Sequence, residues 1–323
     1  MNPLRLTRRA TALALGAPFV ARAQSRWSPT QPIRVIIPFT AGGAMDPVVR
    51  LAQNFLQQDL GQPVVIDYKP GGATVVGTQE VTRAAPDGHT MIMVANSFSA
   101  NVTLRPSMPY NSIRDFAPIC MCAVVPHVLV VHPSVARDFA GFLEAGRRPG
   151  PGLAFGSNGI GTSIHLGAEQ FRGLAGLNAT HVPYSGTAQA VTDLIGGRLQ
   201  FAFVNLPDVI QPRQTGQLRA LAISAGARAP ELPEVPTMAE SGFPLVLSDS
   251  WFGLLTRADV PPAARERLEG AWVAALNRPE VKGRLQETGF TVLARPGQEF
   301  GTEIRRYADT YAQVIRANNI RVE

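Results

Sequence analysis

The residues best placed to do chemistry lie in two glycine-bearing turns near the start of the chain, at 38–46 and 70–73. Each turn directly follows a short β-branched run and precedes a segment with the composition of a helix. Such turns expose backbone N–H groups at a helix N-terminus, where they can hold an anion without any charged side chain. The pattern indicates a site for small carboxylates.

The first turn ends in Asp46-Pro47, and this pair has two interpretations. In one, Asp46 is simply the helix N-cap, because proline is favoured at the first helical position and aspartate before it. In the other, the free N–H groups of Gly43, Ala44 and Met45 face a cleft. A ligand carboxylate would avoid the charge of Asp46, which would then bind a ligand hydroxyl, an amine or water.

Two further turns of this kind lie later in the chain, at 156–163 and 182–187, and each also precedes a helical segment. The carboxyl ends of strands in open α/β sheets converge on one crevice. We therefore expect the four turns to line a shared cleft.

Hydroxyl-bearing side chains in the later turns have alternative roles as well. For Ser157, Thr162, Ser163 and Thr187, helix capping is the alternative to ligand binding. Tyr184 either packs against the cleft wall or lines the cleft with its ring and bonds the ligand through its hydroxyl. The sequence alone leaves both alternatives open.

Motifs for cofactors and catalysis are absent from the sequence. Residues 156–161 do not fit GxGxxG, and GxxxxGK[ST] occurs nowhere. There is no GxSxG nucleophile elbow, and Ser, His and Asp do not stand at a recognisable spacing. We expect a binding protein with no cofactor, and not an enzyme.

The formal net charge of +6 does not indicate nucleic-acid binding. Four arginines and no acidic residue fall within the first 23 residues, and the other basic residues are spread along the chain rather than clustered. We expect no nucleic-acid partner.

The first 23 residues have the pattern of a secretory signal peptide. Arg8 and Arg9 precede an apolar stretch at 10–20, and cleavage is expected after Ala23. The paired arginines suggest the twin-arginine route, although a Sec signal can also carry two arginines. A membrane anchor is less favoured because the apolar stretch is too short to span a bilayer. The mature chain is expected in the periplasm.

The rest of the chain predicts an α/β protein with two lobes, because about 300 residues exceed what one core usually supports. Strands and helices alternate, which favours a mixed, mostly parallel sheet flanked by helices in each lobe. The alternation restarts near residue 120, and a proline-rich stretch at 228–236 ends the second set. We place the first lobe at 24–125 plus 250–323 and the second at 126–249. The chain then crosses between lobes near 125 and 250.

Cys120 and Cys122 lie two residues apart in an apolar segment that reads as a strand. Such positions share one face but are roughly 6.5–7 Å apart, at the edge of disulfide geometry. The spacing favours two buried thiols over a strained disulfide. A metal site is less favoured still, because no second cysteine pair or nearby histidine cluster completes it.

The order of these motifs along the mature chain resembles a known family, the Bug or TctC-type periplasmic solute-binding proteins of tripartite tricarboxylate transporters. The resemblance rests on motifs spread over nearly the whole mature chain, namely Pro38-Phe39 with Gly42-Gly43 and Asp46, Gly71-Gly72-Ala73, Gly156-Ser157 through Gly161-Thr162 with His165, His181-Val182-Pro183-Tyr184 with Gly186, Gly216 to Ala222, Leu232 to Gly242, and Trp251 with Gly253.

This resemblance implies a two-lobed, type II Venus-flytrap fold that closes on one carboxylate and delivers it to membrane permease subunits. It further implies that main-chain amides and ordered water of the first two turns hold the carboxylate. We expect a monomer. The candidate ligand-binding residues are Phe39, Gly43, Ala44, Met45, Asp46, Gly72, Ala73, Ser97, Ser157, Gly161, Thr162, Tyr184, Thr187 and Asn205. An alternative function is a periplasmic sensor that presents its liganded state to a signalling partner.

The chain departs from the family pattern at two places near the expected cleft floor. Ala41 replaces a usual proline and Met45 a residue that is often small or hydroxylated, while bulkier residues stand at 74–76. These changes favour a monocarboxylate with an apolar or aromatic body over a small, highly charged ligand such as citrate.

Overall fold

The computed structural model describes residues 27–246, 248–317 and 319–322. The signal peptide predicted at 1–23 lies outside these residues. Within them, no helix is both long and apolar enough to cross a membrane.

Ten strands and ten helices are assigned in this part of the chain. The strands are β1 (Ile33–Ile37), β2 (Val64–Tyr68), β3 (Thr90–Val94), β4 (Phe116–Val131), β5 (Leu153–Ser157), β6 (Ala179–Pro183), β7 (Phe201–Asn205), β8 (Arg219–Ser224), β9 (Asp249–Arg257) and β10 (Thr291–Pro296). The helices are α1 (Met45–Leu60), α2 (Val75–Arg83), α3 (Asn96–Leu104), α4 (Phe139–Arg147), α5 (Ser163–Ala175), α6 (Thr187–Ile195), α7 (Leu206–Gln214), α8 (Pro262–Leu276), α9 (Pro279–Gln286) and α10 (Gly297–Ala317).

The strands form two mixed sheets that have β4 in common. One sheet has the order β2-β1-β3-β9-β4, with β10 on the other side of β4. In the other sheet β4 pairs with β7 and β8, and β5 lies between β7 and β6. Both sheets are mixed, as predicted: parallel pairing joins β1–β3 and β5–β7, and the pairings of β4 and β9 are antiparallel. Strands that leave a lobe and return to it must run in opposite directions, as β4 and β9 do.

The long strand β4 changes partners at its middle. Up to Pro126 it pairs with β9, and from His127 onward it pairs with β7 and β8. The buried ring of His127 marks this point, with Nδ1 at 2.8 Å from Ser248 Oγ and Nε2 at 2.9 Å from Ser250 Oγ. Burial lowers the pKa of His127 to about 3, so the ring is a neutral hydrogen-bonding group.

Apolar helix faces cover the sheets and fix the turns that follow the strands. Val48 and Val49 of α1 share a core with Leu268 and Trp272 of α8, so this C-terminal helix packs beside α1. Gly61 ends α1 in the left-handed conformation, which glycine adopts without a steric penalty. No local sequence pattern predicted α3, α4, α7 or β10.

The two cysteines are free thiols buried within β4. The thiol of Cys122 lies 3.7 Å from the carbonyl oxygen of Cys120. Burial raises the pKa of Cys122 well above its ordinary value, which keeps this thiol protonated.

Both cysteines should therefore resist modification in the folded protein. We expect a thiol-specific reagent to label neither residue under native conditions and to label both after unfolding in denaturant. A reductant should leave the melting temperature unchanged. A rise in free thiol on reduction of the unfolded protein would contradict this assignment.

Candidate functional site

The first turn is held by Asp46, although not as a helix cap. Helix α1 already begins at Met45, with Ala44 at the N-cap position, so the capping interpretation of Asp46 was wrong. Instead Asp46 Oδ2 accepts hydrogen bonds from Gly42 N at 3.1 Å and from the hydroxyl of Tyr68 at 2.8 Å. The carboxylate folds back onto the turn because these two donors reach it there.

This arrangement leaves the N-terminal amides of α1 available. The backbone N–H groups of Gly43, Ala44 and Met45 have no acceptor among the described residues. They carry the positive end of the helix dipole, which favours an anion at this position. The first turn is therefore a preformed set of donors.

The second turn has an unusual backbone. Four successive residues have positive φ angles: 136° at Gly71, 56° at Gly72, 47° at Ala73 and 82° at Thr74. For the two non-glycine residues this conformation costs about 1–3 kcal/mol each, and such strain is concentrated at functional sites. Asn101 supports the turn from α3 by donating to the carbonyl oxygen of Ala73 at 2.9 Å.

The third turn is held by two histidines. Ser157 Oγ lies 2.7 Å from Nε2 of His181 and accepts from Gly159 N, while Nδ1 of His165 accepts from Gly161 N at 3.2 Å. Burial lowers the pKa of His165 to about 3 and that of His181 to about 4, so both rings are neutral. Ser157 and Gly161 thus shape the turn, and neither lines a cavity.

The hydroxyl groups of Thr162 and Tyr184 are both engaged within the protein. Thr162 Oγ1 accepts from His165 N at 3.3 Å as a true N-cap of α5. The Tyr184 hydroxyl donates to Asp193 Oδ2 at 2.8 Å, and desolvation together with this carboxylate raises the pKa of Tyr184 to about 12. The expectation that this hydroxyl bonds the ligand is therefore not met, and only the residue's position at a cavity wall remains.

The turns enclose two adjoining cavities. The first is small, with a volume of about 30 Å³. Nine of the candidate residues line it, namely Phe39, Gly43, Ala44, Met45, Asp46, Ser97, Thr162, Thr187 and Asn205. The second, of about 260 Å³, has Gly72, Ala73 and Tyr184 in its wall. Phe39 and Asn158 line both cavities.

Several residues that line the first cavity were not predicted from the sequence. Thr40 and Asn158 lie within the glycine turns, so their position alone was a usable signal. Ser250 reaches the first cavity from β9, more than 200 residues from the first turn. Only the tertiary fold brings Ser250 there.

Arginine reaches the second cavity but does not line the first. Arg105, just after α3, lines the second cavity with the 71–73 turn, and its side chain forms no ion pair with another described residue. Arg114 lines neither cavity. It pairs with Asp115 at 2.7 Å in a separate exposed pocket. The first cavity contains one formal charge, that of Asp46.

The apolar selection inferred from residues 74–76 is not supported by the structure. Val75 packs against the core that includes Phe98 and Trp251, while Val76 is half exposed, and neither lines a cavity. Met45 does line the first cavity, but most of its neighbours there are polar. Ile37, Phe39 and Phe252 also line this cavity, so the preference for an apolar or aromatic ligand body stays a prediction.

Five buried side-chain oxygens at the first cavity have no hydrogen-bond partner among the described residues. They are Thr40 Oγ1, Asp46 Oδ1, Ser97 Oγ, Asn158 Oδ1 and Asn205 Oδ1. A buried polar atom left unpaired costs about 1–3 kcal/mol. The cavity is thus built to bind a polar molecule. Among the described residues, no group of three or more His, Cys, Asp or Glu side chains could hold a metal ion.

Comparison with known proteins identifies the family of this chain. The family model described as "Tripartite tricarboxylate transporter family receptor" matches residues 48–320. Protein BugT of Bordetella pertussis is 36% identical over 287 residues, which cover 87% of this chain and 88% of BugT.

Two solved structures have closely similar folds. MatC from Rhodopseudomonas palustris with bound malate is 27% identical, with a TM-score of 0.84, and the alignment covers 89% of this chain and 99% of MatC. Rpa4515 from R. palustris with adipate is 29% identical, with a TM-score of 0.86 and coverage of 91% and 99%. The chain belongs to the tripartite tricarboxylate transporter receptor family, has its two-lobed periplasmic-binding-protein fold, and is a solute receptor rather than an enzyme.

Proposed function

We propose that this protein binds a small organic carboxylate in the first cavity and delivers it to the permease subunits of a tripartite transporter. The observation that carries this proposal is the set of unpaired N–H groups at Gly43, Ala44 and Met45, which open into a cavity lined from both sheets. The malate bound to MatC and the adipate bound to Rpa4515 support the same class of ligand.

We further propose that the lobes comprise 24–125 with 250–323, and 126–249. The change of β4 partners between Pro126 and His127 supports the first boundary, and the start of β9 at Asp249 supports the second. Two adjacent antiparallel strands are then the only sheet connections across the hinge, within the described residues. Export by the predicted signal peptide would place a monomeric receptor in the periplasm.

Closure of the lobes depends on contacts across the cleft. Thr40 N, in the first turn, donates to the carbonyl oxygen of Ser185 in the fourth turn at 3.5 Å. Gly186, which follows Ser185, lies against Thr40. A ligand that touches both turns would favour this closed arrangement by population shift.

A thermal-shift screen of organic acids tests the proposed function directly. A carboxylate present at one hundred times its Kd should stabilise the mature protein by about 2.7 kcal/mol and raise its melting temperature. The matching primary amides, which lack the anionic group, should produce no shift. If no carboxylate binds, the proposal is wrong.

Replacement of Gly186 by alanine tests closure. The added Cβ would overlap Thr40 Oγ1. Even if that hydroxyl rotated away, the added Cβ would lie 3.3 Å from Thr40 Cβ and 3.4 Å from Thr40 N. We expect Gly186→Ala to keep the melting temperature of the unliganded protein while weakening ligand binding about tenfold, because the closed state is less populated. Scattering should show a larger radius of gyration with ligand than in the unchanged protein.

Gly226→Ala is the matched control, because a Cβ at Gly226 meets nothing within 4 Å. This variant should bind ligand as the unchanged protein does. Equal affinity in Gly186→Ala and Gly226→Ala would argue against closure through this contact.

The salt dependence of ligand affinity shows which of the two cavities holds the carboxylate. If the amides of the first turn hold the carboxylate, raising NaCl from 20 to 200 mM should change the Kd by no more than about twofold, because little long-range attraction is screened. A loss of affinity well beyond this would instead assign the carboxylate to Arg105. Arg105→Gln should then abolish the salt effect, whereas Arg114→Gln should leave it unchanged.

A further inference from the structure

The first cavity contains acceptors that a plain carboxylate cannot satisfy. Asp46 Oδ1 and Asn205 Oδ1 are both unpaired, and their residues are only 8% and 3% exposed. Asp46 lies in α1, which covers the first sheet, whereas Asn205 is the last residue of β7 in the second sheet. An acceptor therefore faces the same cavity from each side of the cleft.

The orientation of both groups is fixed by their second polar atom. Asp46 Oδ2 is held by Gly42 N and the Tyr68 hydroxyl, so Oδ1 is the oxygen left for the cavity. Asn205 Nδ2 donates to Asp208 Oδ2 at 3.1 Å, which identifies the unpaired atom of this amide as the oxygen. The Asp46 carboxylate has only acceptor atoms, and Asn205 could present its NH₂ group to the cavity only by breaking the bond to Asp208.

A carboxylate has only acceptor atoms at neutral pH, and it would be repelled by the charge of Asp46. The donors it needs are present elsewhere in the same cavity, in the N–H groups of the first turn and the hydroxyls of Ser97 and Thr187. The cavity thus contains one set of atoms suited to a carboxylate and a second set suited to a donor.

We infer that the ligand carries, next to its carboxylate, a hydroxyl or ammonium group that donates to Asp46 Oδ1 and Asn205 Oδ1. This inference rests on the proposed function and narrows it to hydroxy or amino acids. Because the two acceptors come from opposite sheets, the donor also couples ligand recognition to closure of the cleft. Asp46 also pairs with the half-exposed Arg50. The Arg50 Nε atom lies 3.8 Å from Asp46 Oδ2, so this ion pair does not involve Oδ1.

The test compares acids that differ only in this group, by calorimetric titration of the mature protein. One series is succinate, malate and aspartate, and the other is 3-phenylpropionate, 3-phenyllactate and phenylalanine. Within each series that binds, the donor-bearing acid should bind at least about tenfold tighter than the plain acid, as expected for a hydrogen bond to a charged acceptor. Comparison of malate with aspartate distinguishes a hydroxyl from an ammonium group.

Asp46→Asn gives the sharper test because it reverses the chemistry with little change of shape. The asparagine oxygen must take the place of Oδ2 to keep the bonds from Gly42 and Tyr68, so its NH₂ group faces the cavity as a donor. The variant should lose at least tenfold in affinity for the donor-bearing acid and retain or gain affinity for the plain acid. Asn205→Leu, which removes the other acceptor, should reduce the same preference from the opposite side.

Asp59→Asn is the matched control, since Asp59 lies at the far end of the same helix in an exposed ion pair with Arg267. It should leave the preference unchanged. The preference is a ratio of two affinities in one protein sample, so a small loss of stability in a variant does not disturb it.

The outcomes separate the inference from the proposed function. If plain and donor-bearing acids bind equally well, or if Asp46→Asn keeps the preference, the inference is overturned while carboxylate binding stands. If no acid of any skeleton binds in this titration or in the wider thermal-shift screen, both are overturned.

Discussion

The continuity of β4 is the constraint on which the rest of the structure depends. One strand of 16 residues belongs to both sheets, so its backbone hydrogen bonds are satisfied on each side of the crossing only if β9 returns beside it. At the change of partners, the His127 ring is fixed between Ser248 and Ser250, and Ser163 lies within 3.2 Å of Ser250. Because Ser163 and Ser250 also line the first cavity, the crossing and the cavity share a polar network.

The turns around the cavity are organised by a division between satisfied and unsatisfied atoms. In the third turn, Ser157 Oγ, His165 Nδ1 and His181 Nε2 find partners that hold the backbone in place. At the cavity wall, one oxygen of Asp46 is tied down and the other is left unpaired. Preorganised groups of this kind lose little entropy when they bind, which is how a cavity with a single formal charge can still bind an anion.

Local sequence signals predicted the elements that have strong local chemistry. Helix α1, the strands before the glycine turns, and the proline-rich break at 228–236 all followed from residue type and spacing. The missed elements have weaker signals: α7 contains an internal proline, and α3 is buried along most of its length, so its residues show no amphipathic period. The antiparallel pairing of β4 with β9 joins segments more than 100 residues apart, and no local pattern encodes it.

The sequence by itself determined the two-lobed α/β class, the family resemblance and the loops that form the cleft, because glycine turns at strand ends are local features with a general geometric consequence. Only the tertiary structure decided what each side chain does there. It tied the Tyr184 hydroxyl to Asp193, turned Ser157 toward His181, moved Asp46 from the cap position into the helix and brought Ser250 to the wall. These roles depend on which donors lie within about 3 Å in space, and spacing along the chain does not specify that distance.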